Sequence, residues 1–87
     1  MRVSAGLCFQ GEKIWIFKRG PGRKNAHLWE FPGGKEESGE TPADCLVREL
    51  REELSLEVSP PQIVREADCE GIHFTFLRCE ALNAPRC

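Results

Sequence analysis

The stretch GKEESGETPADCLVRELREELSL, Gly34 to Leu56, decides the reading, and its second half is the easier part to interpret. Thr41 is a helix-capping residue type, Pro42 suits the first helical position, and Asp44 places negative charge in the first turn. From there to about Leu54 the pattern is helical: at about 100° per residue, Ala43, Leu46, Val47, Leu50 and Leu54 fall on one arc. Glu49, Glu52 and Glu53 are spaced i, i+3 and i+4, so they converge on the opposite side within one turn. Like charges at these spacings destabilise an isolated helix by a few tenths of a kcal/mol per pair. Solvent and neighbouring arginines can remove that cost, and so can a bound divalent cation, for which clustered hard oxygens suit Mg²⁺ or Mn²⁺. Read alone, Arg48 to Leu54 is an ordinary amphipathic helix with a solvated, salt-bridged face. The helix by itself decides nothing.

The residues before it change the reading. Gly34, five residues, Glu40, seven residues, then Arg48-Glu49-Leu50-Arg51-Glu52-Glu53, one residue, and Ser55-Leu56 resembles the Nudix box, G-x5-E-x7-R-E-U-x-E-E-x-G-U with U a bulky aliphatic residue. Eight of the nine specified positions match, with fixed gaps over 23 residues. The lead-in Leu28-Trp29-Glu30-Phe31-Pro32-Gly33-Gly34-Lys35 is similar to that of the MutT-like branch of the family. The one departure is Ser55, where the family has glycine. That position follows the helix end, where left-handed geometry is common, and a serine kept there costs roughly 1 kcal/mol. It removes no ligand, so it bears on local stability more than on chemistry.

The resemblance implies an α+β Nudix fold: a mixed sheet packed between helices, an α/β/α sandwich, with the box forming a loop–helix–loop. It implies that Glu49, Glu52 and Glu53 hold Mg²⁺ (Mn²⁺ substituting) and carry the catalysis. It places Gly33 where a backbone carbonyl joins them, with no Cβ in the way of the ion. Glu40 and Arg48, with Gly34, match the positions that hold the loop against the helix. The reaction implied is hydrolysis of a nucleoside triphosphate to the monophosphate and pyrophosphate, with oxidised forms such as 8-oxo-dGTP first: nucleotide-pool sanitisation in the service of DNA repair. A general base is needed, and Glu52 or Glu53 can serve; in several relatives a glutamate in a later loop does. Arg19, at the end of a strand, is the candidate phosphate or nucleotide contact. Phe31 and Phe74 are apolar candidates for a base pocket that read equally as core. His27 and His73 show no partner pattern that suggests catalysis, and Cys45 reads as buried filler beside Glu49. Two other readings stay open: a Nudix hydrolase of another nucleoside diphosphate derivative, such as ADP-ribose or a dinucleoside polyphosphate, and a catalytically weak Nudix-like binding fragment.

Outward from the box, Val3, Ala5, Leu7 and Phe9 alternate with smaller or polar residues, the period of a half-buried strand. A turn at Gln10-Gly11-Glu12 leads to Lys13-Ile14-Trp15-Ile16-Phe17-Lys18, apolar on both faces, which predicts a central strand buried from both sides. Gly20 to His27 reads as a loop, and Leu28 to Phe31 as a short strand stopped by Pro32-Gly33-Gly34. Ile63 to Glu70 and Ile72 to Leu82 predict two strands around Gly71, with Ile72, Phe74 and Phe76 on one face. The whole is one domain, residues 1–87 with the box at 34–56. It is expected to be incomplete at its C-terminus, because no second amphipathic helix covers the other sheet face.

Composition sets the outer limits. A chain of 87 residues buries about 60–65% of its unfolded surface, which leaves a narrow stability margin. With 40% hydrophobic and 30% charged residues it has the make-up of a globular domain. A net charge of −2 argues against general binding to nucleic acid or anionic membranes, though not against a small anion carried on metal ions. No apolar run reaches the roughly 20 residues of a membrane span. Five widely spaced cysteines, with no C-x-x-C pair, argue against zinc and against a disulfide framework. The partner the Nudix resemblance implies is a small nucleotide; the cysteine usage fits a reducing cytoplasm, and the chain is expected to be monomeric if full length and able to dimerise as a fragment.

Overall fold

A computed structural model describes residues 1–18 and 29–86. Its elements are β1 (Arg2–Gln10), β2 (Lys13–Ile14), β3 (Phe17–Lys18), β4 (Trp29–Glu30), β5 (Gly33–Lys35), α1 (Pro42–Leu54), β6 (Gln62–Cys69) and β7 (Ile72–Glu80). The main sheet runs β2-β1-β7-β6, with β5 also paired to β1, while β3 and β4 form a separate two-stranded ribbon. β1 and β7 are parallel, Ser4 opposite Thr75 and Cys8 opposite Cys79, and the other pairings are antiparallel. The sheet is mixed, as the α+β reading expects. A parallel pair needs a crossover, and the one joining β1 to β7 contains α1.

The helix lies on one face of the sheet. A Cβ on Gly6 would fall 2.9 Å from Leu46 Cδ1, so the absence of a side chain there lets α1 settle directly onto β1. Leu46, Leu50 and Leu54 form the core with Leu56, Cys8, Leu77 and Cys79. Val3, Ala5, Leu7 and Phe9 do share a face of β1, but it is the less covered one, and the fully buried residues are Ser4, Gly6 and Cys8. The small residues turn toward the helix because that is where the backbone must come close. On the opposite face Phe74 and Phe76 stack at 6.3 Å, and the Arg78 guanidinium lies 4.3 Å from the centre of the Phe9 ring. Among the described residues no second helix covers that face.

Two sequence expectations need correction. Ile14 to Phe17 is not a central strand: Lys13–Ile14 pairs with the end of β1, and the chain then leaves so that Phe17–Lys18 joins the ribbon. Ile14 and Ile16 are accordingly exposed, at 38% and 43%. The reason is that β5 occupies the rest of that edge of β1, pairing with Val3 to Ala5. The second correction follows: the short strand does end before Pro32, but Gly33-Gly34 then begin a strand of their own, β5. The two-residue turn of the β6–β7 hairpin, Glu70-Gly71, has both φ values positive, at 50° and 80°. Cys8 and Cys79, both buried, have their Sγ atoms 3.5 Å apart, and the four described cysteines are free thiols. No helix of the described residues is long and apolar enough to cross a membrane.

Candidate active site

The site grows from the start of α1. Thr41, in extended geometry, accepts from the Asp44 N–H through its Oγ1 at 3.1 Å, and Pro42 follows at the first helical position. This cap fixes where the helix begins and hence the phase of every carboxylate on it. The loop between β5 and the cap is then tied back by one residue. Arg48 donates to Glu40 through Nε (2.6 Å) and Nη2 (3.0 Å), a two-pronged ion pair. The same Nη2 donates to the Lys35 carbonyl at 3.1 Å, and Nη1 to Glu49 Oε1 at 3.0 Å and Glu52 Oε2 at 3.2 Å. Glu40 also accepts from the Glu37 N–H at 2.9 Å. These donors, Arg48 foremost, pull the Glu40 carboxyl down to about 2, and the Glu40 carboxylate in turn holds the Arg48 guanidinium above its ordinary value.

β5 sets the depth of the site. A Cβ on Gly34 would lie 2.5 Å from the Glu49 carboxyl carbon, so the carboxylate occupies the space a side chain would need. Gly33 has φ 151°, and a Cβ there would come within 2.0 Å of the Ser4 carbonyl oxygen. Gly33 admits no side chain because backbone stands in the way, whereas a side chain at position 34 would displace the Glu49 carboxylate, so the Gly-Gly pair sets where that carboxylate lies. Cys45 is fully buried and donates weakly to the Gly34 carbonyl at 3.5 Å. Burial pushes its thiol pKa up, as expected for filler.

Glu49, Glu52 and Glu53 are thus on one turn, Glu49 the most enclosed, at 14% side-chain exposure, and Glu52 open at 60%. Among the described residues no three acidic, histidine or cysteine side chains are drawn together closely enough to form a ready-made metal cage. Instead the positive charge between Glu49 and Glu52 is supplied by Arg48. The donor set still suits a hard divalent cation: it is all carboxylate oxygen, from helix positions one turn apart, on a backbone fixed by the cap and by Gly34.

The remaining candidates divide. Arg19 and His27 lie outside the described residues. Phe31 is 43% exposed just ahead of Pro32, and Trp29 beside it is 64% exposed. Phe74 is half-buried on the sheet face away from the helix. His73, without a partner in the sequence reading, has two: Asp68 at 2.8 Å from Nδ1 and Glu66 at 3.0 Å from Nε2. These raise its pKa, Asp68 most. The signal was there, since the two-residue turn at Glu70-Gly71 puts Asp68 opposite His73. Lys35, acting through its carbonyl, and Asn83 were missed, and no side-chain pattern announces either.

The NUDIX domain family model matches residues 1–84. The chain is 38% identical over 60 residues to an 8-oxo-dGTP diphosphatase of Proteus vulgaris, covering 68% of this chain and 54% of that protein. It is 41% identical over 77 residues to the CTP pyrophosphohydrolase of Escherichia coli, covering 84% and 57%. In structure it resembles MutT, solved in work on the Aliivibrio salmonicida and Vibrio cholerae proteins, with TM-score 0.84 and 33% identity over 99% of this chain and 72% of that one. With the box geometry in place, the chain belongs to the Nudix family. Within it the neighbours above are of the MutT-like kind, and the chain spans about half the length of the curated relatives it matches.

Proposed function

We propose that this chain carries the catalytic helix of a metal-dependent Nudix pyrophosphohydrolase that cuts a nucleoside triphosphate into monophosphate and pyrophosphate. The observation that supports this most is the join between loop and helix: Glu40 and Arg48 in a two-pronged pair, Arg48 reaching Glu49 and Glu52, and Glu49 seated on Gly34. This arrangement concentrates carboxylates at one spot and keeps them from splaying; Arg48 offsets part of their repulsion, and a bound cation would offset it further. Glu49, Glu52 and Glu53 would hold Mg²⁺ or Mn²⁺, with the Gly33 backbone as a further donor. When bound, the ion supplies charge neutralisation for the polyphosphate and acidifies a water. The protein's own part is orientation: Glu49 is fixed by Arg48 and Gly34, and Arg48 is fixed by Glu40 and the Lys35 carbonyl. Glu52 or Glu53, on the open side of the turn, takes the water proton.

Oxidised purine triphosphates such as 8-oxo-dGTP are the first substrates to test, in view of the 8-oxo-dGTP diphosphatases among the relatives. A cytidine triphosphate is the second, because the relative that matches over 77 residues is a CTP pyrophosphohydrolase. Phe31, exposed at the mouth of β5, and Arg19 are proposed to meet the nucleotide. The site of action would be the cytoplasm, on free nucleotides. The deciding assay measures pyrophosphate release from normal and oxidised triphosphates with Mg²⁺, using the chain and any natural extension of it. Pyrophosphate and a monophosphate are the expected products. Orthophosphate alone, or turnover only of ADP-ribose or a dinucleoside polyphosphate, would refute the reading.

A further inference from the structure

The helix leaves through Ser55, which sits in the left-handed region at φ 50°, ψ 32°, a conformation that glycine adopts freely and serine does not. Its N–H donates to the Arg51 carbonyl at 3.2 Å, and the next N–H, of the fully buried Leu56, reaches the Leu50 carbonyl at 3.1 Å. Both bonds close the last helical turn, and the second, which turns back through Ser55, needs that residue to stay left-handed. What holds it there comes from the far end of the chain. Asn83 donates through Nδ2 to the Ser55 carbonyl at 3.0 Å, and its Oδ1 accepts the Glu57 N–H at 2.8 Å. One side-chain amide therefore bridges the backbone across Leu56 and fixes the carbonyl by which the chain leaves the strained residue. The neighbouring backbone adds to the clamp: the Leu82 N–H donates to the Glu57 carbonyl at 2.8 Å, and the Arg86 N–H to the Leu54 carbonyl.

We propose that Asn83 is a positioning residue for the carboxylate helix, its amide taking the place of a glycine at position 55 by locking the turn that presents Glu52 and Glu53. This rests on the metal reading given above. Glu49 is held from the other side, by Gly34 and Arg48. Glu52 and Glu53 lie in the last turn before Ser55, so their relation to Glu49 depends on that turn staying closed. Without the amide, Ser55 can relax out of the left-handed region. The bond from the Leu56 N–H to the Leu50 carbonyl then opens, the last turn frays, and two of the three carboxylates lose their register with the third.

The test is Mn²⁺ titration of the 87-residue chain, followed by the electron paramagnetic resonance of free Mn²⁺ at a temperature where circular dichroism shows each variant folded. Asn83→Ala is expected to raise the Mn²⁺ dissociation constant about fivefold, the weight of one ordinary hydrogen bond. Adding Ser55→Gly should restore most of that affinity, because glycine keeps the turn without help. Asn83→Asp, which keeps the acceptor for Glu57 but loses the donor to Ser55, should also weaken binding and carries the same comparison if the alanine variant does not fold. A role confined to stability would lower the melting temperature and leave the affinity of the folded protein unchanged, which would overturn the proposal. So would a loss of affinity that Ser55→Gly does not relieve. If the parent chain binds no Mn²⁺, the metal reading falls and this proposal falls with it.

Discussion

At Arg48 one guanidinium meets Glu40, Glu49, Glu52 and the Lys35 carbonyl, so its planar fork is used on three sides at once. Lysine has the charge but not the fork. Arg48→Lys should therefore leave a folded chain with weakened Mn²⁺ affinity and turnover reduced by about tenfold or more, as for other losses of an orienting group. The two are read by metal titration and pyrophosphate release. Glu40 gives the same contact a pH dependence. Its carboxyl stands near 4.5 when the chain is unfolded and about 2 when folded. The stability it contributes is therefore present above about 4.5 and lost as pH falls from there toward 2. Denaturant midpoints measured across that window should fall less steeply in Glu40→Gln than in the parent. At Gly34 the prediction is steric. A methyl group at 2.5 Å from the Glu49 carboxyl carbon must push that carboxylate away, so Gly34→Ala should weaken Mn²⁺ binding more than it lowers the melting temperature.

Among the elements, the helix was legible in advance because its signals are local: cap, proline, apolar arc and carboxylate spacing all lie within Thr41 to Leu54. The left-handed exit at Ser55 was legible too, from the position of a glycine in the family pattern. Ser55→Gly should accordingly raise the unfolding free energy by about 1 kcal/mol, measured by thermal denaturation. The strands were harder. Nothing local in Ile14 to Phe17 says that β5 will take the edge of β1, since that depends on Gly33 and Gly34 lying flat against Ser4 and Ala5. The same limit hid the clamp by Asn83 on residues 26 and 28 positions earlier. In the β6–β7 hairpin the register once drawn explains His73, which faces Asp68 and Glu66, with Arg2 the nearby positive charge. Its folded pKa is raised above the ordinary 6.5, so the stability from these pairs is complete below 6.5 and is lost as pH rises through the folded value. His73→Gln should remove that slope from a plot of melting temperature against pH near neutrality.

For the whole molecule, the two sides of the sheet are unequal. On one, α1 buries Ser4, Cys8, Thr75, Leu77 and Cys79 almost completely. On the other, Val3, Ala5, Leu7, Phe9, Phe74 and Phe76 are half-buried, with no helix over them among the described residues. Hydrophobic stabilisation scales with the apolar area taken from water, so this second face contributes less to folding than the first and keeps part of its apolar surface in reach of solvent. Arg78 shields part of it by laying its guanidinium over the Phe9 ring. The 87-residue chain should therefore bind a hydrophobic dye such as anilinonaphthalene sulfonate while natively folded. Phe74→Ser with Phe76→Ser should remove most of that binding. Because these side chains are stacked but only half-covered, the double change should cost less than the roughly 3–5 kcal/mol apiece of deleting a fully buried phenylalanine. The contrasting variant is Leu77→Ala, on the helix side of the same strand and fully buried. It should cost about 2–5 kcal/mol and leave dye binding by the folded state unchanged. Equal dye binding in the parent and in the double serine variant would mean that the bound surface lies elsewhere on the molecule.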